Sequence, residues 1–227
     1  MDKTEISQYK MPEYTESEEI INMITHIIGA VFGITELVLC VVFAAERGSA
    51  LRVIGASVYG TSLIMLYAMS SLYHGLNPGT GKKVLQVLDH CTIYFLIAGT
   101  YTPILIGPLY EYSPSPACVL LGVVWGIGIL AAVFTAIDRY KYRKLSMACY
   151  VGLGWTIILT ARSAIAALTW PGFLLLLGGG ITYTAGAVIY SIGKKRRTKY
   201  MHSVFHILVL LGTLLHFLTI FIFCILN

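Results

Sequence analysis

Residues 203–226 have the sequence SVFHILVLLGTLLHFLTIFIFCIL, which contains no Asp, Glu, Lys or Arg. A helix of about 20 apolar residues is long enough to cross the hydrocarbon core of a bilayer. A helix that is apolar on all sides cannot lie on the surface of a soluble domain. The segment therefore predicts a membrane-spanning helix.

Six further segments of similar length and composition precede it, separated by polar or Pro/Gly-rich joints. The sequence thus predicts an all-α integral membrane protein, a bundle of seven transmembrane helices. The expected helices are residues 21–45, 52–74, 85–108, 117–137, 147–168, 171–193 and 203–226. Residues 1–20 form the expected N-terminal tail, and residues 21–227 form one membrane domain. The tail is polar and acidic, so no cleavable signal peptide is expected.

The composition agrees with this class. Hydrophobic residues make up 57% of the chain and charged residues 12%, against about 25% charged residues in soluble domains. The net charge of +5 does not indicate a nucleic-acid partner, because the basic residues occur in short runs between apolar segments. The five cysteines occur singly, which argues against disulfides and against thiolate metal ligands.

The basic residues also predict the orientation, because cytoplasmic joints are enriched in Lys and Arg. Only Arg47 and Arg52 lie in the joints on one side of the predicted membrane. Thirteen basic residues lie on the other side, in the tail and in three joints: Lys3, Lys10, Lys82, Lys83, Arg139, Lys141, Arg143, Lys144, Lys194, Lys195, Arg196, Arg197 and Lys199. We therefore expect a multi-pass protein of the cell membrane with its N-terminus inside and its C-terminus outside.

Small residues spaced four apart predict places where two helices approach closely. Such pairs are Gly29 with Gly33 and Gly122 with Gly126, and residues 178–180 are three consecutive glycines in the sixth expected helix.

The polar residues inside the apolar segments converge on one depth. With this orientation, the cytoplasmic ends of four helices carry five of the six histidines and one carboxylate: His26, His74, Asp89, His90, His202 and His206. Ionisable groups in membrane segments are costly and usually functional. His216 lies about 21 Å from His202 along the last helix, too far away to share a site with it.

His202 and His206 are four residues apart, so both imidazoles leave one face of the helix about 6 Å apart. Two histidines at this spacing can hold a zinc ion. No acidic residue lies between them, so a third ligand must come from another helix, and His74 lies at the matching depth. The spacing predicts one Zn²⁺ held by His74, His202 and His206 on the cytoplasmic side.

Three histidines leave one coordination position for water, whose pKa zinc lowers to roughly 7. Asp89 is the nearest acid and the expected general base. It is expected to face the metal in preference to His90, because consecutive helical residues are about 100° apart. Ser70, one turn deeper than His74, can hydrogen-bond the water or a ligand histidine. His26 and His90 are expected to be hydrogen-bonding residues at helix ends.

These residues resemble the hemolysin III family, the bacterial branch of the progestin and adipoQ receptor group. The resemblance extends from Glu18 to the C-terminus. It rests on Glu19-x2-Asn22-x2-Thr25-His26, on Ser70-x3-His74, on Leu88-Asp89-His90 through Ala98-Gly99-Thr100-Tyr101-Thr102-Pro103, and on His202-x3-His206. It implies a seven-helix fold, zinc held by His74, His202 and His206, and Asp89 close to the metal's water. It also implies a relationship to membrane-embedded zinc hydrolases, including alkaline ceramidases.

Two functions remain open. In the first, the protein is a zinc-dependent hydrolase of amide or ester bonds in membrane lipids, with Asp89 as base and Ser70 as an orienting or oxyanion donor. In the second, it is a non-enzymatic regulator or receptor that affects lipid homeostasis, and zinc clamps helices two, three and seven together. A secreted pore-former is disfavoured, because a chain this apolar has no soluble form, so haemolysis would be a phenotype. The sequence does not predict an oligomeric state.

Overall fold

The computed structural model describes residue 12 and residues 14–227. Most of the expected tail, residues 1–11 and 13, lies outside the described residues. The α-helices are α1 (Glu16–Glu46), α2 (Ala50–Gly75), α3 (Thr80–Ile106), α4 (Pro108–Tyr112), α5 (Pro114–Ile137), α6 (Arg143–Gly154), α7 (Ala161–Arg196) and α8 (Met201–Ile220). A 3-10 helix, Thr156–Thr160, connects α6 to α7, and a π-helical segment, Phe221–Leu226, continues α8.

The predicted all-α class is confirmed, and the chain has the helices of a membrane protein. Five helical stretches of the described residues are long and apolar enough to span a bilayer: Glu16–Glu46, Ala50–Gly75, Pro114–Ile137, Arg143–Arg196 and Met201–Leu226. The expected span 85–108 corresponds to α3, which is not among the five. Residues 98–105 of α3 are all buried in the bundle. The Thr and Tyr side chains among them face protein, and these polar residues lower the mean hydropathy of the helix.

The stretch Arg143–Arg196 is 54 residues long and consists of two antiparallel rods. Thr169 has φ 62° and ψ 169°, values that interrupt the helix, and it lies in the joint expected between helices five and six. Arg143 and Lys194, at opposite ends of the stretch, are near enough to interact electrostatically. Division at Thr169 gives seven long helical rods within the described part of the chain.

Helix α1 begins at Glu16, five residues before the expected start at residue 21. The cause is a capping box. The Thr15 hydroxyl accepts a hydrogen bond from the Glu18 backbone N–H, and the Glu18 carboxylate accepts one from the Thr15 backbone N–H. These bonds satisfy backbone groups that would otherwise lack partners at the helix start, so the helix extends beyond its apolar segment.

The faces of α1 are reversed relative to those of a helix in a soluble protein. Its apolar side chains point outward, and Ile28, Val31, Ile34 and Val38 are each more than half exposed. Its buried face is polar or small in character and comprises Glu18, Asn22, His26, Gly29, Gly33, Glu36, Cys40 and Ala44. This distribution suits a helix whose outer solvent is lipid.

The first and last helices are joined at their first turns. The Glu18 carboxylate accepts a 2.6 Å hydrogen bond from the Tyr200 backbone N–H, just before α8. One turn further along α1, the Asn22 side-chain oxygen accepts a 2.6 Å hydrogen bond from the Ser203 hydroxyl. Glu18, Asn22 and Ser203 are all buried. These contacts bring the start of α8 to the same level as the start of α1.

One of the two expected glycine pairs lies at a close helix contact. A Cβ atom added to Gly29 would lie 2.5 Å from Cδ1 of Tyr67 in α2, and Gly33 also faces α2. The prediction for Gly122 and Gly126 is wrong within the described chain, because no atom of another helix lies within 4 Å of a Cβ added at either position. Both glycines are exposed on the outer side of α5.

Candidate metal centre

Three imidazole rings meet where α2 ends and α8 begins. The Nε2 atom of His202 lies 3.3 Å from Nε2 of His74 and 3.1 Å from Nε2 of His206. The three residues form a group whose potential ligand atoms all lie within 4.8 Å of one another. His74 and His206 are buried. The structure thus brings together the three histidines that the sequence predicted as zinc ligands.

The hydrogen bonds around this group fit a metal ion. A neutral imidazole has one nitrogen that donates and one that accepts. The Nδ1–H of His74 donates to the Glu19 carboxylate over 2.5 Å, and the Nδ1–H of His206 points to the Thr25 hydroxyl oxygen at 3.4 Å. In these tautomers both Nε2 atoms carry lone pairs, directed towards a third imidazole. A metal ion between the rings would accept these lone pairs, and three histidines are a ligand set that zinc takes in open sites.

His202 is held by aromatic packing. Tyr14 stacks on its ring with centroids 5.0 Å apart and an interplanar angle of 10°, and Phe205 stacks at 5.7 Å and 21°. The Nδ1 atom of His202 is buried without a hydrogen-bond partner among the described residues. Burial raises the pKa of the Tyr14 phenol well above its ordinary value, so Tyr14 remains neutral at physiological pH.

His26 lies against this group but is not part of the three-histidine set. Its ring stacks on His206 with centroids 3.7 Å apart and an interplanar angle of 16°. Both of its ring nitrogens are buried and lack hydrogen-bond partners in the described chain. His26 was expected to be a hydrogen-bonding residue at a helix end, but within the described chain its ring forms no hydrogen bond and packs against His206 and the edge of Tyr67.

Asp89 and Ser70 lie beside the histidines. The side chains of Ser70 and Asp89 are close enough to interact, and the Asp89 carboxylate is also close enough to His74 to interact with it electrostatically. Ser70 is buried, and both residues line the cavity described below. The carboxylate therefore lies within electrostatic range of a proposed ligand histidine.

The neighbouring His90 has other partners. Its Nδ1–H donates to the Gln86 carbonyl over 2.9 Å, and its Nε2 accepts from the Arg139 guanidinium over 2.8 Å. Both ring nitrogens are thus occupied, and His90 has no free atom to offer a metal.

A cavity of about 210 Å³ extends from the histidines into the interior of the bundle. The end of the cavity beside the histidines is polar and is lined by Ser70, Asp89, His202 and His206. The rest is mainly apolar, with side chains such as Leu66, Leu96, Ile104, Ile157, Leu176 and Val209. The cavity therefore connects a polar centre with space suited to a hydrocarbon chain.

Four residues that were not predicted as part of this centre contact it directly or through one neighbour: Tyr14, Glu19, Thr25 and Lys82. Glu19 and Thr25 lie in the motif that carried the family resemblance, which was their only signal. Lys82 counts among the basic residues that predict the orientation of the chain in the membrane, because a lysine beside a membrane segment usually has that role. Tyr14 lies in the expected tail, where no pattern links it to His202.

The comparisons with known proteins agree with these motifs. The model of the family described as Haemolysin-III related matches residues 14–217. Hemolysin-3 homolog from Bacillus subtilis is 37% identical over 93% of this chain and 97% of its own length, and Hemolysin-3 from Bacillus cereus is 37% identical over 96% and 95%. The adiponectin receptor protein of Drosophila melanogaster is 26% identical over 73% of this chain and 41% of its own length. No solved structure shows a significant match.

The matched region contains all three histidines, Asp89 and Ser70, together with the residues of α1 that pack against them. It covers most of the chain, and the two Bacillus proteins match over nearly their full lengths. The resemblance inferred from the motifs is confirmed, and this chain belongs to the haemolysin-III-related family.

Proposed function

We propose that this protein is a zinc-dependent hydrolase of amide or ester bonds in membrane lipids. The observation that carries the proposal is the cavity of about 210 Å³ that connects Asp89 and two of the three histidines, His202 and His206, with an apolar interior. A purely structural zinc site is closed by four protein ligands, whereas a catalytic site has three and keeps one position open. Three histidines beside a cavity correspond to the second arrangement.

We further propose that the seven helical rods each cross the cell membrane, with the N-terminus inside. This orientation places the three histidines and Asp89 on the cytoplasmic side. It is supported by the thirteen basic residues on that side of the predicted membrane. It is also supported by the contacts that hold the start of α8 beside the start of α1.

His74, His202 and His206 would hold the zinc ion. When bound by three histidines, zinc lowers the pKa of a bound water to roughly 7 and polarises carbonyl oxygens. The Asp89 carboxylate accepts the proton of the attacking water and delivers it to the leaving group, a role that typically contributes 10²–10⁴-fold to the rate. Ser70, which lies beside Asp89, would orient the carboxylate or donate to the developing oxyanion.

The substrate class follows from the two ends of the cavity. The apolar part accepts an acyl chain and excludes water, while the polar end receives the carbonyl to which the chain is attached. A lipid amide or ester has this combination, and it is already dissolved in the bilayer that surrounds the bundle. Membrane lipids are therefore the proposed partners.

The second candidate is a non-enzymatic regulator or receptor in which zinc is a structural clamp. Two observations favour it. The ligands come from two helices, so a bound ion would tie α2 to α8, and binding energy would become part of folding energy. The Drosophila relative is named an adiponectin receptor, a name that describes reception and not hydrolysis.

The variants Asp89→Asn and His74→Ala, compared side by side, distinguish the two candidates. In a hydrolase, Asp89→Asn removes the base but leaves all three histidines, so zinc content stays near one per chain while turnover falls by about 10²–10⁴-fold. His74→Ala loses zinc and activity together. The purified variants are reconstituted in vesicles with ceramide-like amides and phospholipid esters, and zinc is measured in each sample.

The clamp makes the opposite prediction. The asparagine amide retains most hydrogen bonds of Asp89, so a clamp tolerates the change and any cellular phenotype survives in Asp89→Asn. Absence of turnover by the wild type on every lipid offered, together with that surviving phenotype, would refute the hydrolase.

A further inference from the structure

Glu19, at the start of α1, forms a polar bridge to the metal centre that the proposed chemistry does not use. One carboxylate oxygen accepts the 2.5 Å hydrogen bond from Nδ1–H of His74. The other accepts a 2.7 Å hydrogen bond from the Lys82 ammonium. Glu19 thus lies between a proposed metal ligand on α2 and a lysine on α3, and both of its oxygens are occupied.

We infer that Glu19 and Lys82 are positioning residues for the zinc site, an inference that rests on the proposed metal centre. Glu19 holds His74 in the tautomer whose Nε2 faces His202 and His206. Lys82 holds the Glu19 carboxylate in place. A carboxylate on the far nitrogen of a ligand histidine fixes the orientation of the ring and increases its basicity.

Lys82 is suited to this role by its surroundings. It is only 5% exposed, unusual for a lysine, which is rarely buried without a partner. Its ammonium donates to Glu19 and, over 2.8 Å, to the carbonyl of Leu76, which caps α2 two residues after His74. Lys82 therefore contacts both the carboxylate and the backbone that carries the ligand histidine.

Among the described residues, the other two ligands have no hydrogen-bonded carboxylate. His206 has the longer 3.4 Å contact from Nδ1 to the Thr25 hydroxyl, and His202 packs against the rings of Tyr14, Tyr190 and Phe205. His74 also differs in position, because it is the single ligand on α2. The two ligands on α8 have their spacing fixed by the helix, whereas the approach of His74 depends on its neighbours.

An alternative role for the same contacts is a simple staple between α1, α2 and α3. A staple contributes equally to the stability of the protein with and without metal. A positioning residue acts on the affinity for zinc and on the geometry of the ligands. Zinc affinity and the spectrum of bound Co²⁺ therefore separate the two roles, whereas loss of activity would not.

The test uses the full-length protein in detergent, with Glu19→Gln, Lys82→Met and the control Glu16→Gln. Glu16 is an exposed glutamate in the same first turn of α1. Zinc affinity is measured by competition with chelators of graded strength, coordination geometry by the visible spectrum of the Co²⁺ form, and thermal stability on metal-free protein. We expect zinc to bind about 10–100-fold more weakly to Glu19→Gln than to the control, with an altered Co²⁺ spectrum. The metal-free stability also falls, because the buried Lys82 ammonium loses its carboxylate partner.

Lys82→Met leaves Glu19 and His74 chemically intact and is expected to weaken zinc binding in the same direction. Unchanged zinc affinity and an unchanged Co²⁺ spectrum in Glu19→Gln, with only the metal-free stability lowered, would overturn the inference in favour of a staple. A wild-type protein that binds no zinc would refute the proposed metal centre itself, and the inference with it.

Discussion

At the scale of single residues, the centre depends on a pair of histidines one helical turn apart. One imidazole alone does not hold zinc in a protein site. Replacing both His202 and His206 by Ala should therefore reduce zinc content from about one per chain to none, whereas His216→Ala should leave it unchanged. His216 is a suitable control because it lies on the same helix but outside the three-histidine group. The measurement is metal analysis of the purified proteins.

Full zinc occupancy in the double variant would contradict the ligand set. If His216→Ala also lost zinc, the loss in the double variant would be explained by disruption of α8 and not by removal of the ligands. The melting temperature of each variant identifies this case.

The proposed ligand set could be predicted from the sequence because periodicity and depth are both visible there. His202 and His206 share a face by spacing, and the charge pattern placed His74 at their level. The outer contacts could not be predicted in this way. The hydrogen bond between Glu19 and His74 joins residues 55 positions apart. The stacking of Tyr14 on His202 joins the N-terminal segment to the last helix. Contacts of this kind depend on how helices rotate and tilt when they pack, which leaves no periodic signal.

At the scale of helices, the apolar segments predicted how many rods there are but not where they end. The length of an apolar segment matches the thickness of the hydrocarbon layer, whereas the helix itself can extend beyond that segment. Helix α1 therefore begins at its Thr15 cap. Helix α3 also begins early, at Thr80, five residues before the expected start, although no side chain caps it. The interruption at Thr169 was predictable, because it coincides with the joint before Pro171.

The two glycine pairs provide a matched test of helix packing. Gly29→Ala places a methyl group against the ring of Tyr67, which is fully buried and hydrogen-bonded to Thr213. Overpacking of this kind typically costs about 1–3 kcal/mol. Gly122→Ala meets open space, and alanine has a helix propensity better than that of glycine by about 1 kcal/mol. We expect a lower melting temperature for Gly29→Ala and an equal or higher one for Gly122→Ala.

Both variants are measured in the same detergent, with zinc content as a check that the centre is intact. If the two substitutions lowered the melting temperature equally, the contact between α1 and α2 would not be as tight as the position of Gly29 indicates.

At the scale of the whole molecule, the distribution of basic residues predicts which ends face the cytoplasm. Reporter fusions after Lys199 should have cytoplasmic activity, and fusions at Asn227 should have external activity. The physical reason is that Lys and Arg in short joints remain on the cytoplasmic side during insertion. Alkaline phosphatase and green fluorescent protein serve as paired reporters, since each is active on only one side.

A fusion at the joint around Arg47 is the internal control and should be external. External activity after Lys199 with cytoplasmic activity at Asn227 would reverse the orientation and move the metal centre to the outer side.

The bonds between the starts of α1 and α8 have a consequence for the way this protein is made. Glu18 and Asn22 are synthesised near the beginning, whereas Tyr200 and Ser203, their partners, leave the ribosome near the end. Until then, the Asn22 side-chain oxygen and the Glu18 oxygen that is not bonded to Thr15 lack these partners, and unpaired polar groups are costly when buried. A chain that stops before the last helix retains those unpaired groups. Polar groups left without partners at the start of α1 therefore distinguish a truncated product from a finished one.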